Sequence, residues 1–118
     1  NYMEGSGWMG SLSAIDPNSG YWIKVSEDDV LLLMGTPTLR DTEYALETGA
    51  NLISYPYRYG SEIASAIPEE AQSIIEGIIG EGVAAQFIND AWIGSLSILK
   101  GSNGYWVKAT EPITFSFK

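Results

Sequence analysis

The sequence predicts a mainly β protein, a small antiparallel sandwich or barrel of short strands with one short helical insertion over about residues 61–79. Two observations lead there. Short apolar stretches bounded by Gly, Pro, Asn or Asp recur at spacings of roughly ten residues, the rhythm of strands and turns. One strand-turn-strand stretch also occurs twice. Trp8–Glu27 (WMGSLSAIDPNSGYWIKVSE) and Trp92–Glu111 (WIGSLSILKGSNGYWVKATE) align without a gap at a spacing of 84, with 10 of 20 positions identical. Both tryptophans, the Gly-Ser-Leu-Ser and the Gly-Tyr-Trp keep their register, so the duplication is an internal repeat.

Taken in order, Asn1–Gly7 is polar and glycine-rich, and Trp8–Leu12 reads as a strand with Trp8, Gly10 and Leu12 on one face. Asp16–Gly20 is a turn, because Pro17 fixes φ while Asn18 and Gly20 accept left-handed backbone. Tyr21–Val25 is the next strand, Glu27–Asp29 an acidic turn and Val30–Met34 an apolar strand. Gly35–Thr42 is a connector. Tyr44–Gly49 leads into a strand over Asn51–Pro56, and Tyr57–Gly60 is loop. Ser61 is placed to cap a helix over Glu62–Ala66. A second helix is predicted from Pro68 to Ile79, with acidic residues in its first turn and an apolar stripe of Ile74, Ile75, Ile78 and Ile79. Gly77, Gly80 and Gly82 end it. Val83–Ile88 is a strand, Asn89–Asp90 a hairpin turn, and the repeated unit follows, closing on the alternating Ile113–Phe117.

Residues 1–35 thus correspond to the C-terminal half of a module and residues 36–118 to a complete one, the two expected to form one compact unit. The first copy lacks everything equivalent to residues 39–91. A strand-rich half-module can neither bury its apolar face nor pair its edges alone. It packs on the complete module of its own chain, docks on a neighbouring chain, or is the remnant of a longer repeat protein. The chain begins with Asn rather than Met, as expected of a processed or excised piece.

Composition narrows the function. The net charge is −9, and the few Lys and Arg do not cluster, so there is no basic footprint for nucleic acid. The acidic surface disfavours anionic membranes, and no apolar run approaches spanning length. With no Cys and no His, disulfides, thiolate zinc sites and Ser-His-Asp chemistry are excluded.

Gly49-Ala50-Asn51-Leu52-Ile53-Ser54-Tyr55-Pro56, followed by Trp92-x-Gly94-Ser95-Leu96 and Gly104-Tyr105-Trp106-Val107-Lys108, resembles a repeat module of secreted and surface bacterial proteins, also seen in marine phage structural proteins. That pattern is Gly-Trp-Asn-Leu-Ile-Ser-x-Pro, a variable middle, then Trp-x-Gly-x-Leu and Gly-Tyr-Trp-hydrophobic-Lys. It covers residues 39–118 fully and residues 1–34 by its second half, with Ala50 in place of the usual Trp. The resemblance implies an extracellular or cell-surface structural or adhesive module that is not an enzyme, and it names no ligand.

The candidate interface or ligand-stacking residues are Tyr2, Trp8, Trp22, Tyr55, Tyr57, Arg58, Tyr59, Trp92 and Trp106. Rings of this kind either fill a core, meet a partner or stack on sugar faces. Tyr55, Tyr57 and Tyr59 alternate, so an extended segment would present them as a ladder beside Arg58. The acidic loops lack the spacing of a calcium loop and read as solvated turns. No catalytic residue, metal or cofactor is expected. The leading expectation is self-association with other copies of the chain into a filament or surface layer; the alternative is a surface-glycan-binding module.

Overall fold

The computed structural model describes all 118 residues, and its architecture is mainly β. The strands and helices, in chain order, are β1 (Tyr2–Met3), β2 (Gly7–Trp8), β3 (Tyr44–Leu46), β4 (Gly49–Ser54), β5 (Ser61–Glu62), α1 (Ile63–Ala66), α2 (Glu69–Gln72), β6 (Ile75–Gly80), β7 (Val83–Ile88), β8 (Ala91–Gly94), β9 (Ile98–Leu99), β10 (Gly104–Ala109) and β11 (Ile113–Phe115). The main sheet has five antiparallel strands in the order β4-β10-β6-β7-β8. Over one of its faces lie the two-stranded pairs β3-β11 and β5-β9 and the two single-turn helices, a small sandwich-like arrangement with no closed barrel.

The core lies between these layers. β10 alternates as the sequence requires, with Tyr105, Val107 and Ala109 buried and Trp106 and Lys108 on the outer face. Opposite it sit Leu46, Ile63, Ile67 and Leu99, each nearly solvent-free. One end is aromatic. Phe117 meets both Tyr44 and Tyr55 edge-on at 5.1 Å, and Phe115 stacks on Tyr44 at 6.2 Å, geometries that suit the ring quadrupoles. Side-chain amides fix the turns. Asn51 donates to the carbonyls of Glu47 and Gly49 and accepts from the Glu47 N–H, closing the β3-β4 connection. Gln72 donates to the carbonyls of Ala64 and Ile67 and ties α2 to α1.

Several expected elements form as read. Val83–Ile88 is β7, and Asn89 and Asp90 both take positive φ (49° and 61°) in the two-residue hairpin to β8. The predicted helix over Pro68–Ile79 is wrong beyond its first turn. α2 stops at Gln72 and residues 75–80 are strand β6. The cause is a β-bulge: Val107 pairs with Ile78 but Ala109 pairs with Ile75, so three residues of β6 stand opposite two of β10. The buried positions therefore fall three apart, at Ile75 and Ile78, and imitate helical spacing, while Ile79 points outward. Ser61 likewise does not cap α1; it belongs to β5, and the N-cap position is Glu62, which makes no side-chain cap bond.

The strands expected over Trp8–Leu12, Tyr21–Val25 and Val30–Met34 do not form. Before Tyr44 the only strands are the β1-β2 hairpin, and no side chain before Tyr44 is buried. The reason is pairing. The slot that a Tyr21–Val25 strand would need, between β4 and β6, is already filled by β10. The radius of gyration, 15.6 Å, accordingly exceeds the ~13.5 Å of a compact chain of this length.

The Tyr44 hydroxyl is buried without a hydrogen-bond partner. The nearby Ser54 hydroxyl donates to the Pro17 carbonyl instead, at 2.6 Å. Leaving such a donor unsatisfied costs about 1–3 kcal/mol. Tyr44→Phe is therefore expected to leave stability unchanged or raise it by about 1 kcal/mol in urea unfolding.

Candidate interaction surface

The repeat allows each side chain of the first copy to be compared with one whose role is visible. In the second copy Leu96, Leu99, Tyr105, Val107, Ala109, Phe115 and Phe117 are all core residues. Their counterparts 84 positions earlier are Leu12, Ile15, Tyr21, Ile23, Val25, Leu31 and Leu33, every one apolar or aromatic. Leu12 is 61% exposed against 5% for Leu96, Ile23 72% against 2% for Val107, and Leu33 82% against 5% for Phe117. Only Tyr21 is half-buried. A contiguous stretch with the pattern of a core thus faces solvent, which is uncommon for a free-standing chain.

Local geometry repeats even where the strands do not. The Tyr21 hydroxyl oxygen accepts a hydrogen bond from the Asp16 N–H at 2.8 Å, and the Tyr105 oxygen accepts from the Lys100 N–H at the same distance. Gly10 and Gly94 share an unusual φ, 145° and 148°. In the second copy glycine is obligatory there, since a Cβ on Gly94 would lie 2.2 Å from the Ala84 carbonyl oxygen; at Gly10 nothing is near.

The hydrogen bonds from the first copy to the module all come from its turn. The turn lies along the free edge of β4, where the Gly20 N–H donates to the Leu52 carbonyl and the Ser54 N–H donates to the Asn18 carbonyl, both at 3.1 Å. There Gly20 reaches its own counterpart, its Cα lying 3.7 Å from where a Cβ on Gly104 would stand. Further on, the Tyr57 hydroxyl reaches the carbonyls of Arg40 (3.1 Å) and Phe117 (3.2 Å), and the Arg40 guanidinium sits 5.4 Å from the Tyr57 ring centre, holding the connector.

The aromatic residues singled out in the sequence do not gather into one platform. Tyr2 and Trp8 meet edge-on at 5.5 Å across the exposed β1-β2 hairpin. Trp22 is exposed. The expected tyrosine ladder is instead a gradient: Tyr55 is in the core, Tyr57 packs edge-on against it at 5.5 Å and is half-buried, and Tyr59 is exposed under the Arg58 guanidinium. The chain bends at Arg58 and Tyr59, so the three rings do not share one extended segment. Trp92 is half-buried against Phe87 and donates its indole N–H to the Gln72 side-chain oxygen at 3.2 Å, a structural role. Gln72 was not legible as its partner, because twenty residues and two strands separate them. Trp106 lies on the outer face of the sheet, flanked by Leu52 and Ile79 in the neighbouring strands. Ala50 is exposed on the same face, paired with Lys108. The Lys108–Glu76 ion pair there, 2.9 Å long, is exposed and of small energetic value.

No family model, curated protein or solved structure matches this chain.

Burial raises the pKa of Tyr44, Tyr55 and Tyr57 above the ordinary 10.0; for Tyr57 the Arg40 charge opposes it. The folded state holds these protons more tightly than the unfolded state does. Their contribution is complete below pH about 10 and is lost as pH rises through the raised values. Urea midpoints are thus expected not to change through these tyrosines up to pH about 9 and to fall above about 10. The glycine pair gives a second test. Gly94→Ala, with both the positive φ and the clash, should cost roughly 2–4 kcal/mol in the same assay, and Gly10→Ala, with the positive φ alone, about 1 kcal/mol.

Proposed function

We propose that this chain is a non-catalytic, extracellular structural module that self-associates, its front half-module (Tyr2–Met34) docking on a neighbouring copy in a head-to-tail assembly. The observation that carries this reading is the exposure of Leu12, Ile15, Ile23, Val25, Leu31 and Leu33, whose counterparts form the core of the complete module. Covering an aliphatic side chain of this size contributes about 1.5–3 kcal/mol. Several together are a substantial drive, even after the ordering of the segment is subtracted. Edge-strand pairing and burial of the Tyr2, Trp8 and Trp22 rings add to it. The contact is heterologous, and a heterologous contact that does not close gives a filament. The acidic charge and the repeat resemblance favour a secreted or surface setting. The lack of His and Cys removes the commonest nucleophile-base pairs.

A glycan-binding role is the second reading, and Trp106 favours it. Its ring stands on an open sheet face at a depression whose lining includes the small residues Ala50, Gly77 and Ala84, a shape that admits a flat sugar ring.

Sedimentation velocity over a range of concentrations tests the first reading. The chain is expected to form species larger than a monomer, and Ile23→Asp with Leu31→Asp to return it to monomer with unchanged circular dichroism. A strictly monomeric wild-type chain at high concentration would overturn it. A glycan array on which binding disappears with Trp106→Ala while the fold persists would favour the second.

A further inference from the structure

We infer that residues 8–33 are a second closing half for the scaffold formed by residues 44–88, competing within the same chain with residues 92–117 for one slot. This rests on reading the front as a half-module, but not on the chain self-associating.

β10 is not an edge strand; it is wedged between β4 and β6, so a scaffold without it has a gap lined on both sides by unpaired backbone. What fills the gap must bring a strand with buried side chains at alternate positions, a preceding turn closed on a tyrosine hydroxyl, and an apolar strand for β3. The front half has each in register: Tyr21, Ile23 and Val25 for β10, the Asp16–Tyr21 turn already formed, and Leu31 and Leu33 for the β11 end. Chain connectivity permits the exchange. β11 runs antiparallel to β3 with Phe115 opposite Tyr44, and the Phe117 ring lies 5.1 Å from the Tyr44 ring. With Leu33 in the place of Phe117, the ten residues from Met34 to Glu43 need only turn back to reach Tyr44, far less than the ~33 Å that ten residues can span. Such a closure is a circular permutation of the observed one, with the closing half ahead of the scaffold instead of behind it.

Packing explains which half holds the slot. Leu31 and Leu33 replace the two phenylalanines that build the aromatic end of the core, and Val25 brings two more carbons to the site of Ala109, which is 1% exposed. The rear half fits better and is seated. The front half is held along the opposite, free edge of β4, with Gly20 beside Gly104. Whichever half is seated, the other is free, so the chain always carries one unpaired closing half, and its position, front or rear, depends on the exchange.

The test weakens the rear half. Val107→Asp puts an unpaired carboxylate in the core. Hydrogen exchange is expected to retain protection of the β4 and β6 amides in this variant, in a species that sedimentation finds monomeric, and to lose that protection at least tenfold when Ile23→Asp is added. Loss of protection with Val107→Asp alone overturns the inference, as does equal protection in the single and double variants. A protected species that is dimeric assigns the exchange to a second copy and overturns the intrachain claim. Since the chain has no cysteine, Trp22→Cys with Ile79→Cys reads the register directly, Trp22 taking the place of Trp106 opposite Ile79. The monomeric disulfide should form at least tenfold faster with Asp than with Val at position 107, and equal rates overturn the proposal. Self-association of the wild-type chain is measured separately, so either reading can fail without the other.

Discussion

The structure depends on the two-sided pairing of β10. It bonds along its whole length to β4 and along most of it to β6, and its inward side chains, Tyr105, Val107 and Ala109, form the floor of the core. Without it the sheet separates into a single strand, which cannot stand alone, and a three-stranded meander that has lost the floor of its core. The elements of the covering layer, β3-β11, β5-β9 and the two helical turns, then have nothing to pack on. The same constraint settles the fate of the first copy. Its strand-forming residues are intact, but a strand exists only where a ladder is available, and the one ladder of the right shape is occupied.

This separates what a duplicated sequence carries by itself from what it gains from its surroundings. The backbone at Gly10 reproduces the second copy with nothing near it, a local property of the residues, and the Asp16–Tyr21 turn reproduces it on a different support, the free edge of β4. The strands do not. Tyr21–Val25 and Gly104–Ala109 have nearly the same pattern and opposite outcomes. β-propensity is in this sense a statement about available neighbours.

The fold class, the hairpin at Asn89–Asp90 and strand β7 were legible because each rests on short-range chemistry: alternation, turn residues and glycine. Ile75–Gly80 was misread because the bulge opposite Lys108 and Ala109 changes the spacing of buried residues from two to three, and no residue near Ile75 announces what happens on a strand thirty positions away. Among the candidate surface residues, Trp8 and Trp22 stand in solvent with the whole of the unpaired first copy, not as one face of a strand. Tyr55 is lost to the core because it continues the inward face of β4, two positions beyond the buried Ile53. The Trp92–Gln72 hydrogen bond joins a strand to a helical turn through tertiary packing alone, a level that residue patterns do not reach.

The strand order also has a bearing on synthesis. The interior strand of residues 104–109 comes last of the five in chain order, so it leaves the ribosome after both of the strands that flank it. Until then β4 and β6 stand apart with open backbone, the condition in which nascent β proteins are most exposed to wrong partners. A chain that carries an earlier copy of the missing strand has, at that moment, a harmless placeholder close at hand.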